Sequence, residues 1–507
     1  MTTRRDAVLM LGAGMVAANT QRAFANEPVR AGADEALFRD YDALGLADLI
    51  RRHKISALEL LDTTLARADR LHPSINAVVL RHDELARQQL AAGVSGPFAG
   101  VPFLLKDLHV RLAGTVTDDG SRFFRGGVAD GDDEIVRRYK RAGLVIFGKT
   151  ASPELGLTGT AESVLHGATH NPWNLGLTAG GSSGGAAAAV AARLLPMAHA
   201  SDGAGSIRTP ASCCGVFGLK PTRARVPIGP LHFEGWNGLS TQHAVTLSVR
   251  DSAALLDATA GPEVGSPYIA PPPARSYLQE VDASPGRLRV ALVTRPASGT
   301  PVDPICVAAA ESAAKLLGDL GHHVEHATLP VDFASTNEGM LATLCVSVLK
   351  TLKERSVELG RPWAENDIET VTWRLAEMGR KYDGVSYAQA RAAFDEAGRA
   401  MAVMHERYDI VLSPTLAQPP VPIGVLSLSP VDFDAYIKAV TAFGPFTALY
   451  NMTGQPAMSV PLYWSADGLP IGTMFAAAYG NEGLLFRLAG QLERARPWRG
   501  RRPSTLG

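Results

Sequence analysis

The sequence predicts an α/β protein in which a mixed central β-sheet is flanked by α-helices. Short apolar runs alternate along the chain with stretches of helical periodicity, and glycine-rich turns separate them. The chain has 507 residues, of which 46% are hydrophobic and 20% charged, and is therefore long enough to bury a large core. These observations favour a layered α/β fold over an all-α or all-β one.

The elements can be assigned in order along the chain. Ser56 and Glu59 form a capping box, and the helix that begins there is expected to stop before Pro73. Apolar runs that predict buried strands lie at 144–147, 288–293 and 410–412. Segments that predict helices lie at 184–195, which is rich in alanine, and at 304–317.

The proline-rich segment 266–285 is the best candidate for a linker in the chain. The same alternation of strand and helix continues after it, however. We therefore expect one α/β domain over residues 26–507 rather than two domains.

The first 25 residues have the order of a signal peptide. Arg4 and Arg5 precede an apolar run at 8–18, and Ala23 and Ala25 supply an A-x-A cleavage site. The paired arginines resemble a twin-arginine export signal. The alternative is a frayed N-terminal helix. We expect a periplasmic or secreted protein that is not integrated into the membrane after the signal is removed.

Charge and cysteine content narrow the class of partner. With 49 basic and 50 acidic residues the net charge is −1, so no strong field attracts nucleic acid or an anionic membrane. We therefore expect a small-molecule substrate.

The four cysteines have no metal-binding spacing. The sequence leaves undecided whether Cys306 and Cys345 form a disulfide bond. We expect no metal or organic cofactor. The sequence does not specify the oligomeric state, and a homodimer is one alternative.

Two turns rich in glycine and serine carry the strongest functional signal. The first is 180–185 (GGSSGG), and the second is 202–208 (DGAGSIR), whose serine follows Ser182 by 24 residues. Small residues allow backbone N–H groups to point at the oxyanion that forms when an amide carbonyl is attacked. The residues suited to such an oxyanion hole are Gly203, Ala204, Gly205 and Ser206.

A serine nucleophile needs a base to take its proton. None of the 13 histidines lies in the two turns, although His170 and His199 are near them in sequence. Lys106 follows the apolar residues Phe103, Leu104 and Leu105. Burial lowers the pKa of a lysine and leaves a neutral amine that can accept a proton. Lys106 is therefore the better candidate for the base.

Lys106 and the two turns resemble the amidase signature family of serine amidohydrolases. Further stretches that match the family lie at 148–150, 171–174, 210–222 and 451–457. The resemblance implies hydrolysis of a carboxamide through an acyl-enzyme on a Ser-Ser-Lys triad. In this triad Ser206 attacks, Ser182 relays the proton from a cis peptide bond, and Lys106 is the base.

The resemblance also implies supporting roles for two residues. Ser183 is expected to hold the network by hydrogen bonding, and Asp202 to hold the oxyanion turn. The sequence departs from the family at Ala204, where glycine is usual, and the added Cβ is expected to narrow the turn. The Asp202-Gly203 pair and the Cys213-Cys214 doublet are similar to the branch of 6-aminohexanoate-cyclic-dimer hydrolases.

Two residues are further candidates for the substrate pocket. Cys345 lies on a predicted apolar helix, where a core role and a substrate contact are both open. Trp236 lies in a loop, where it is either a pocket wall or a packed aromatic. The sequence leaves open whether the substrate is a linear, cyclic, aryl or peptide amide, or an ester.

Three alternatives to this enzyme compete with it. The run 181–185 also fits G-x-S-x-G, which would make Ser183 the nucleophile of an α/β-hydrolase with a histidine such as His405. Such a nucleophile should follow a buried strand, however, and the stretch 174–178 before it is predicted to be a loop. The run 322–326 fits the zinc-peptidase motif H-x-x-E-H, but its strand-like alternation would splay the histidines. The resembling family also includes an amidotransferase subunit that passes ammonia to a charged transfer RNA, against which the export signal argues.

Overall fold

The computed structural model describes residues 33–505, so the predicted signal peptide at 1–25 lies outside the described residues. The helices are α1 (Ala33–Asp40), α2 (Ala43–Arg51), α3 (Ala57–Ile75), α4 (Asp83–Ala91), α5 (Glu134–Arg141), α6 (Gly184–Ala191), α7 (Arg208–Cys214), α8 (Val249–Thr259), α9 (Tyr277–Val281), α10 (Pro304–Asp319), α11 (Phe333–Leu359), α12 (Thr370–Gly379), α13 (Gly384–Arg407), α14 (Phe433–Phe443), α15 (Leu449–Met452) and α16 (Glu482–Ala495). The strands are β1 (Val78–Arg81), β2 (Pro102–Lys106), β3 (Val145–Thr150), β4 (Glu162–Ser163), β5 (Gly167–Ala168), β6 (His170–Asn171), β7 (Asn174–Thr178), β8 (Met197–Asp202), β9 (Phe217–Lys220), β10 (Thr241–Thr246), β11 (Arg289–Leu292), β12 (His323–His326), β13 (Ile410–Pro414), β14 (Ala457–Trp464) and β15 (Pro470–Ala477).

A mixed sheet of eight strands forms the centre of the fold. Its order is β12-β11-β13-β15-β14-β9-β10-β8, with parallel pairing of β11 to β12 and β13 and antiparallel pairing elsewhere. A three-stranded sheet has the order β1-β3-β2. Helices pack on these sheets, so the predicted fold class, a mixed central sheet flanked by helices, is confirmed.

The two sheets meet side by side at β2 and β8, each of which is an edge strand of its own sheet. The Lys106 backbone N–H donates to Nδ1 of His199 at 3.1 Å and so links the two edges. All five residues of β2 and all six of β8 are buried. Strands covered on both faces read as continuous apolar runs, which explains the sequence before Lys106.

Helix α6 brings the first glycine-serine turn into the interior. All of its residues are buried, and its small side chains permit close backbone packing. A Cβ on Gly185 would lie 2.5 Å from the backbone nitrogen of Ala151, so the contact requires glycine. The alanine-rich sequence therefore reflects close packing behind the turn rather than helix propensity alone.

The capping box of α3 forms as predicted, with the Glu59 N–H donating to Ser56 Oγ at 3.1 Å and the Ser56 N–H to the Glu59 carboxylate at 2.7 Å. The predicted stop before Pro73 is wrong, because α3 continues to Ile75. A proline lacks only one N–H donor, and in the last turn of a helix that loss is small compared with the burial of Leu71 and Ile75.

The predicted strands at 144–147, 288–293 and 410–412 are confirmed as β3, β11 and β13, and the predicted helices as α6 and α10. The segment 266–285 is mostly irregular and contains the short helix α9. Strands that precede it and strands that follow it belong to the same eight-stranded sheet.

The Cys306–Cys345 alternative is wrong, because both residues are buried free thiols that lie in different hydrophobic clusters. The run 323–326 is strand β12, as its alternation predicts, and the residue before it, His322, hydrogen-bonds the Leu288 N–H and Gln491. Within residues 33–505, no helix has the length and apolar character needed to cross a bilayer.

Candidate active site

Lys106 is the last residue of β2, and its side chain is fully buried. Its Nζ donates to Ser182 Oγ at 2.7 Å and to Ser201 Oγ at 3.1 Å. Burial lowers the pKa of Lys106 to about 7. A large fraction of the amine is therefore uncharged near neutral pH and can accept a proton from a hydroxyl.

The first turn presents Ser182 to this amine. The Gly181–Ser182 peptide bond is cis, as expected. A Cβ on Gly181 would lie 2.0 Å from the Thr160 carbonyl oxygen, so no larger residue fits this position. Ser183 donates through Oγ to the Ser201 carbonyl at 3.2 Å and accepts the Ser201 N–H at 3.3 Å. Ser183 therefore ties the turn to β8.

Ser206 lies in the second turn, between β8 and α7, and is half-buried. Ser182, Ser201 and Ser206 all line one small cavity of about 50 Å³. The Ser206 hydroxyl makes no hydrogen bond to any residue between 33 and 505. The structure thus places Lys106 in hydrogen-bonding contact with Ser182, and Ser206 lines the same small cavity as Ser182.

Asp202 is the centre of a fully buried polar network beneath the second turn. Its carboxylate pairs with Nε and Nη2 of Arg208, both at 2.9 Å, and accepts from Asn451 Nδ2 at 2.9 Å. Burial alone would raise the pKa of Asp202, but the charge of Arg208 keeps it well below its usual value. Asp202 therefore stays ionised and holds the turn.

In the second turn, one of the backbone N–H groups predicted to form the oxyanion hole has another partner. The Gly205 N–H donates to Asp202 Oδ1 at 2.7 Å, so it is not available to a substrate oxygen and its assignment to the oxyanion hole is corrected. Gly205 has φ +133°, and a Cβ there would lie 2.4 Å from Thr447 Oγ1. In the described part of the chain, the N–H groups of this turn that make no hydrogen bond belong to Gly203, Ala204 and Ser206.

Trp236 lies against the second turn, since a Cβ on Gly203 would contact its ring at 2.7 Å. It lines both the small cavity and an adjoining outer cavity of about 540 Å³. Cys345 is fully buried in a hydrophobic cluster that Trp236 flanks, and the walls of these two cavities do not include it. Residues that line both cavities are His109, Ile228, Gly235 and Trp236.

Sequence reasoning missed several residues that build the site. Ser201 precedes Asp202 directly, yet nothing in its type suggested the contact with Lys106. Arg208 and Asn451 lie within stretches that resemble the family, but only the fold shows that both bind Asp202. A second polar cluster, Asp107 with Asp118 and His166, adjoins Lys106 and was not predicted.

The α/β-hydrolase alternative is not supported by the geometry. Strand β7, whose sequence predicts a loop, forms a two-stranded sheet with β6 and a single bridge from Leu177 to Pro422, and it is not a strand of the eight-stranded sheet. A nucleophile elbow, by contrast, follows a strand of the central sheet. The Ser183 hydroxyl bonds to the backbone of Ser201. His405 instead bonds the Tyr408 carbonyl, so the two residues are not hydrogen-bonded to one another.

Comparison with known proteins finds relatives that are similar over most of the chain. The model of the family described as Amidase matches residues 59–486. The 6-aminohexanoate-cyclic-dimer hydrolase of Paenarthrobacter ureafaciens is 41% identical over 480 residues, which cover 92% of this chain and 97% of that protein. The residues that the family model matches include the segments that carry Lys106, Ser182 and Ser206.

Solved structures are similar over the same length. A structure of 6-aminohexanoate cyclic dimer hydrolase matches with a TM-score of 0.88 and 39% identity, covering 92% of this chain and 99% of that one. A glutamyl-tRNA(Gln) amidotransferase chain from Thermotoga maritima matches with a TM-score of 0.71 and 25% identity, covering 92% of this chain and 97% of that one.

Proposed function

The chain belongs to the amidase signature family, and from this membership we propose that it hydrolyses a small-molecule carboxamide through an acyl-enzyme on Ser206. One observation carries the proposal. The Lys106 amine is fully buried, lies 2.7 Å from Ser182 Oγ, and has no carboxylate partner within hydrogen-bonding distance among residues 33–505. A lysine in this state is a base rather than a structural cation.

The proposed proton route rests on the contact between Lys106 and Ser182 and on the small cavity that Ser182 and Ser206 share. Neutral Lys106 accepts the proton of Ser182, and Ser182 in turn accepts the proton of Ser206 as the Ser206 oxygen attacks the carbonyl carbon. Backbone N–H groups of the second turn stabilise the oxyanion. The proton then returns through Ser182 to the leaving nitrogen as the C–N bond breaks. In the second half of the reaction, water attacks the acyl carbon and gives its proton through Ser182 to Lys106. The ester bond to Ser206 then breaks, and Ser206 regains a proton by way of Ser182.

Asp202 and Arg208 let the lysine remain neutral. An unpaired carboxylate so close to Lys106 would favour its ammonium form, because the charge of Asp202 raises the pKa of Lys106. Arg208 binds both oxygens of that carboxylate and offsets its charge. We therefore assign this ion pair a double role, holding the oxyanion turn and keeping the base in its reactive form.

The volume and the wall charge of the outer cavity favour a small uncharged or cationic substrate. Its volume of about 540 Å³ is in the range of small-molecule sites. The charged side chains on its wall include the carboxylates Asp119, Asp130, Asp133, Glu234, Glu354 and Glu358 against the cations Arg111, Lys350 and Arg355. Excess negative charge disfavours anions. A cyclic oligoamide has no terminal carboxylate and is therefore compatible with the charge of this wall. It is also the kind of substrate that the name of the 41%-identical relative indicates.

The amidotransferase alternative is less well supported. That similarity rests on 25% identity, against 41% for the hydrolase relative. A partner that supplies transfer RNA in the cytoplasm would also conflict with the signal-like N-terminus. We propose export by the twin-arginine route to the periplasm or beyond, on the order of charged, apolar and cleavage residues in positions 4–25.

The test combines mass spectrometry with kinetics. The full chain is incubated with 6-aminohexanoate cyclic dimer, its linear dimer, 4-nitroacetanilide and glutamine, and trapped acyl adducts are located by peptide mapping. We expect an adduct on Ser206 and the highest kcat/KM for the cyclic dimer. Ser206→Ala should lower kcat by at least about 10³-fold, while the exposed control Ser284→Ala should not change it.

Each part of the proposal can fail separately. An adduct on Ser183, or full activity in Ser206→Ala, would remove Ser206 from the nucleophile role. A preference for the linear dimer or for glutamine would overturn the substrate class and leave the amide hydrolysis intact.

A further inference from the structure

A buried polar cluster lies beside the catalytic lysine but takes no part in the proton route. Asp107 follows Lys106 directly, Asp118 lies in the long loop between β2 and α5, and His166 lies in the turn between β4 and β5. One donor atom from each residue lies within 4.8 Å of the others. The cluster therefore joins three separate segments of the chain at one point.

Two buried polar atoms that face one another in this cluster, Asp107 Oδ2 and His166 Nε2, make no hydrogen bond in the described part of the chain. Asp107 is fully buried. A buried unpartnered carboxylate oxygen is strongly unfavourable. Its other oxygen accepts the Asp118 N–H at 2.9 Å, which fixes the carboxylate orientation. Asp107 Oδ2 and His166 Nε2 are therefore positioned to bind a ligand that lies between them.

Among residues 33–505, no lysine or arginine hydrogen-bonds the carboxylate of Asp107 or Asp118, and Nε2 of His166 lies 3.6–3.7 Å from them, beyond hydrogen-bonding distance. Lys149 is buried nearby, but its ammonium donates to the Val110 carbonyl and the Thr117 hydroxyl. Asp118 Oδ1 accepts only the Gly126 N–H, at 3.3 Å, and Oδ2 faces His166. Two carboxylates and one imidazole without a cationic hydrogen-bond partner are a donor set suited to a divalent metal ion.

Two of the three donor-donor distances in the cluster can be compared with the ligand spacings of zinc and magnesium. Nε2 of His166 lies 3.6 Å from Asp107 Oδ2 and 3.7 Å from Asp118 Oδ2. Ligands in a tetrahedron at about 2.0–2.2 Å from zinc are separated by about 3.3–3.6 Å. Adjacent ligands of octahedral magnesium at about 2.0–2.1 Å are separated by only about 2.8–3.0 Å. The two distances from His166 Nε2 are thus closer to the ligand spacing of tetrahedral zinc than to that of octahedral magnesium.

We propose that Asp107, Asp118 and His166 form a binding site for a divalent transition-metal ion such as Zn²⁺. The ion would connect the end of β2 to the β2–α5 loop and the β4–β5 turn, and so brace the strand that carries Lys106. The Asp107 backbone already has a fixed position, since its N–H donates to the Thr150 carbonyl at 2.9 Å. This departs from the sequence-based expectation of no metal, because the three donors come from separate segments and form no contiguous motif.

The test uses the full chain after treatment with EDTA. Titration with ZnCl₂ in a calorimeter should reveal one saturable site, with a rise in Tm, whereas MgCl₂ should give neither. Asp118→Asn and His166→Gln should each weaken Zn²⁺ binding by at least about 10-fold. The matched controls Asp130→Asn and His72→Gln, both exposed, should bind Zn²⁺ like the wild type.

Two outcomes would overturn the site: no saturable Zn²⁺ binding, or binding that Asp118→Asn and His166→Gln leave unchanged. Circular dichroism in EDTA verifies that the variants fold. Should a variant fail to fold, anomalous diffraction at the zinc edge on the wild-type protein decides the question. A peak among Asp107, Asp118 and His166 supports the proposal, and its absence from zinc-soaked crystals refutes it.

Discussion

Lys106 shows how a single residue acquires reactivity from its surroundings. Burial lowers its pKa to about 7, and that of the neighbouring buried Lys149 to about 8. The two amines differ in what they touch. Lys149 donates to a carbonyl and a threonine hydroxyl, whereas Lys106 contacts Ser182 in the wall of the small cavity. Depressed pKa values are thus shared, and position decides which lysine can act.

The pH dependence of activity follows from the pKa of Lys106. The base is active when neutral, so kcat/KM should rise as pH increases through about 7 and then level off. Lys106→Ala should lower kcat/KM by at least about 10²-fold and abolish this limb. Initial rates between about pH 5 and 9 provide the measurement, with Lys315→Ala, an exposed lysine, as the control. An unchanged profile in Lys106→Ala would disprove the assignment.

Arg208 tests the buried ion pair. Arg208→Gln leaves the Asp202 carboxylate buried without its counter-charge, and we expect the free energy of unfolding to fall by about 3–5 kcal/mol. The exposed pair of Arg51 and Asp48 is the control, for which Arg51→Gln should change stability by less than about 1 kcal/mol. Urea unfolding followed by circular dichroism measures both. Equal effects in the two variants would show that burial does not matter here.

At the scale of elements, the turn between β8 and α7 depends on one glycine. Gly205→Ala introduces strain at φ +133° and a contact of 2.4 Å with Thr447 Oγ1, so we expect lower kcat as well as lower Tm. Gly286→Ala is the control, because Gly286 has φ +74° with no neighbour within 4 Å of the added Cβ. It should lower Tm only slightly and leave kcat unchanged. A wild-type kcat in Gly205→Ala would show that the turn tolerates distortion.

Elements were predictable where one local rule dominated. The capping box of α3 and the apolar strands β3, β11 and β13 have such rules, and they form where expected. The end of α3 and the strand β7 were wrongly predicted because tertiary contacts outweigh local preference. Burial of Leu71 and Ile75 extends α3 past Pro73, and pairing with β6 orders a stretch whose sequence resembles a loop.

At the scale of the whole molecule, the export proposal predicts a cellular location. Replacing both arginines of the signal, Arg4→Lys with Arg5→Lys, should retain the protein in the cytoplasm with its N-terminus intact, because the twin-arginine pathway reads this pair. Cell fractionation and N-terminal mass spectrometry of the wild type and the double variant provide the measurement. A control with Arg51→Lys should be exported normally. Periplasmic accumulation of the double variant would refute the twin-arginine route.

By itself, the sequence determined the fold class, the family resemblance and the three residues of the proposed triad, because each leaves a signal in contiguous residues. Only the tertiary structure decided which groups meet. It placed Ser201 on Lys106, Arg208 and Asn451 on Asp202, and His166 beside Asp107, and it engaged the Gly205 N–H within the turn. The physical reason is that hydrogen bonds and electrostatic fields act over a few ångströms in space. Residues as far apart in sequence as Asp202 and Asn451, which are separated by 249 positions, reach that distance only after folding.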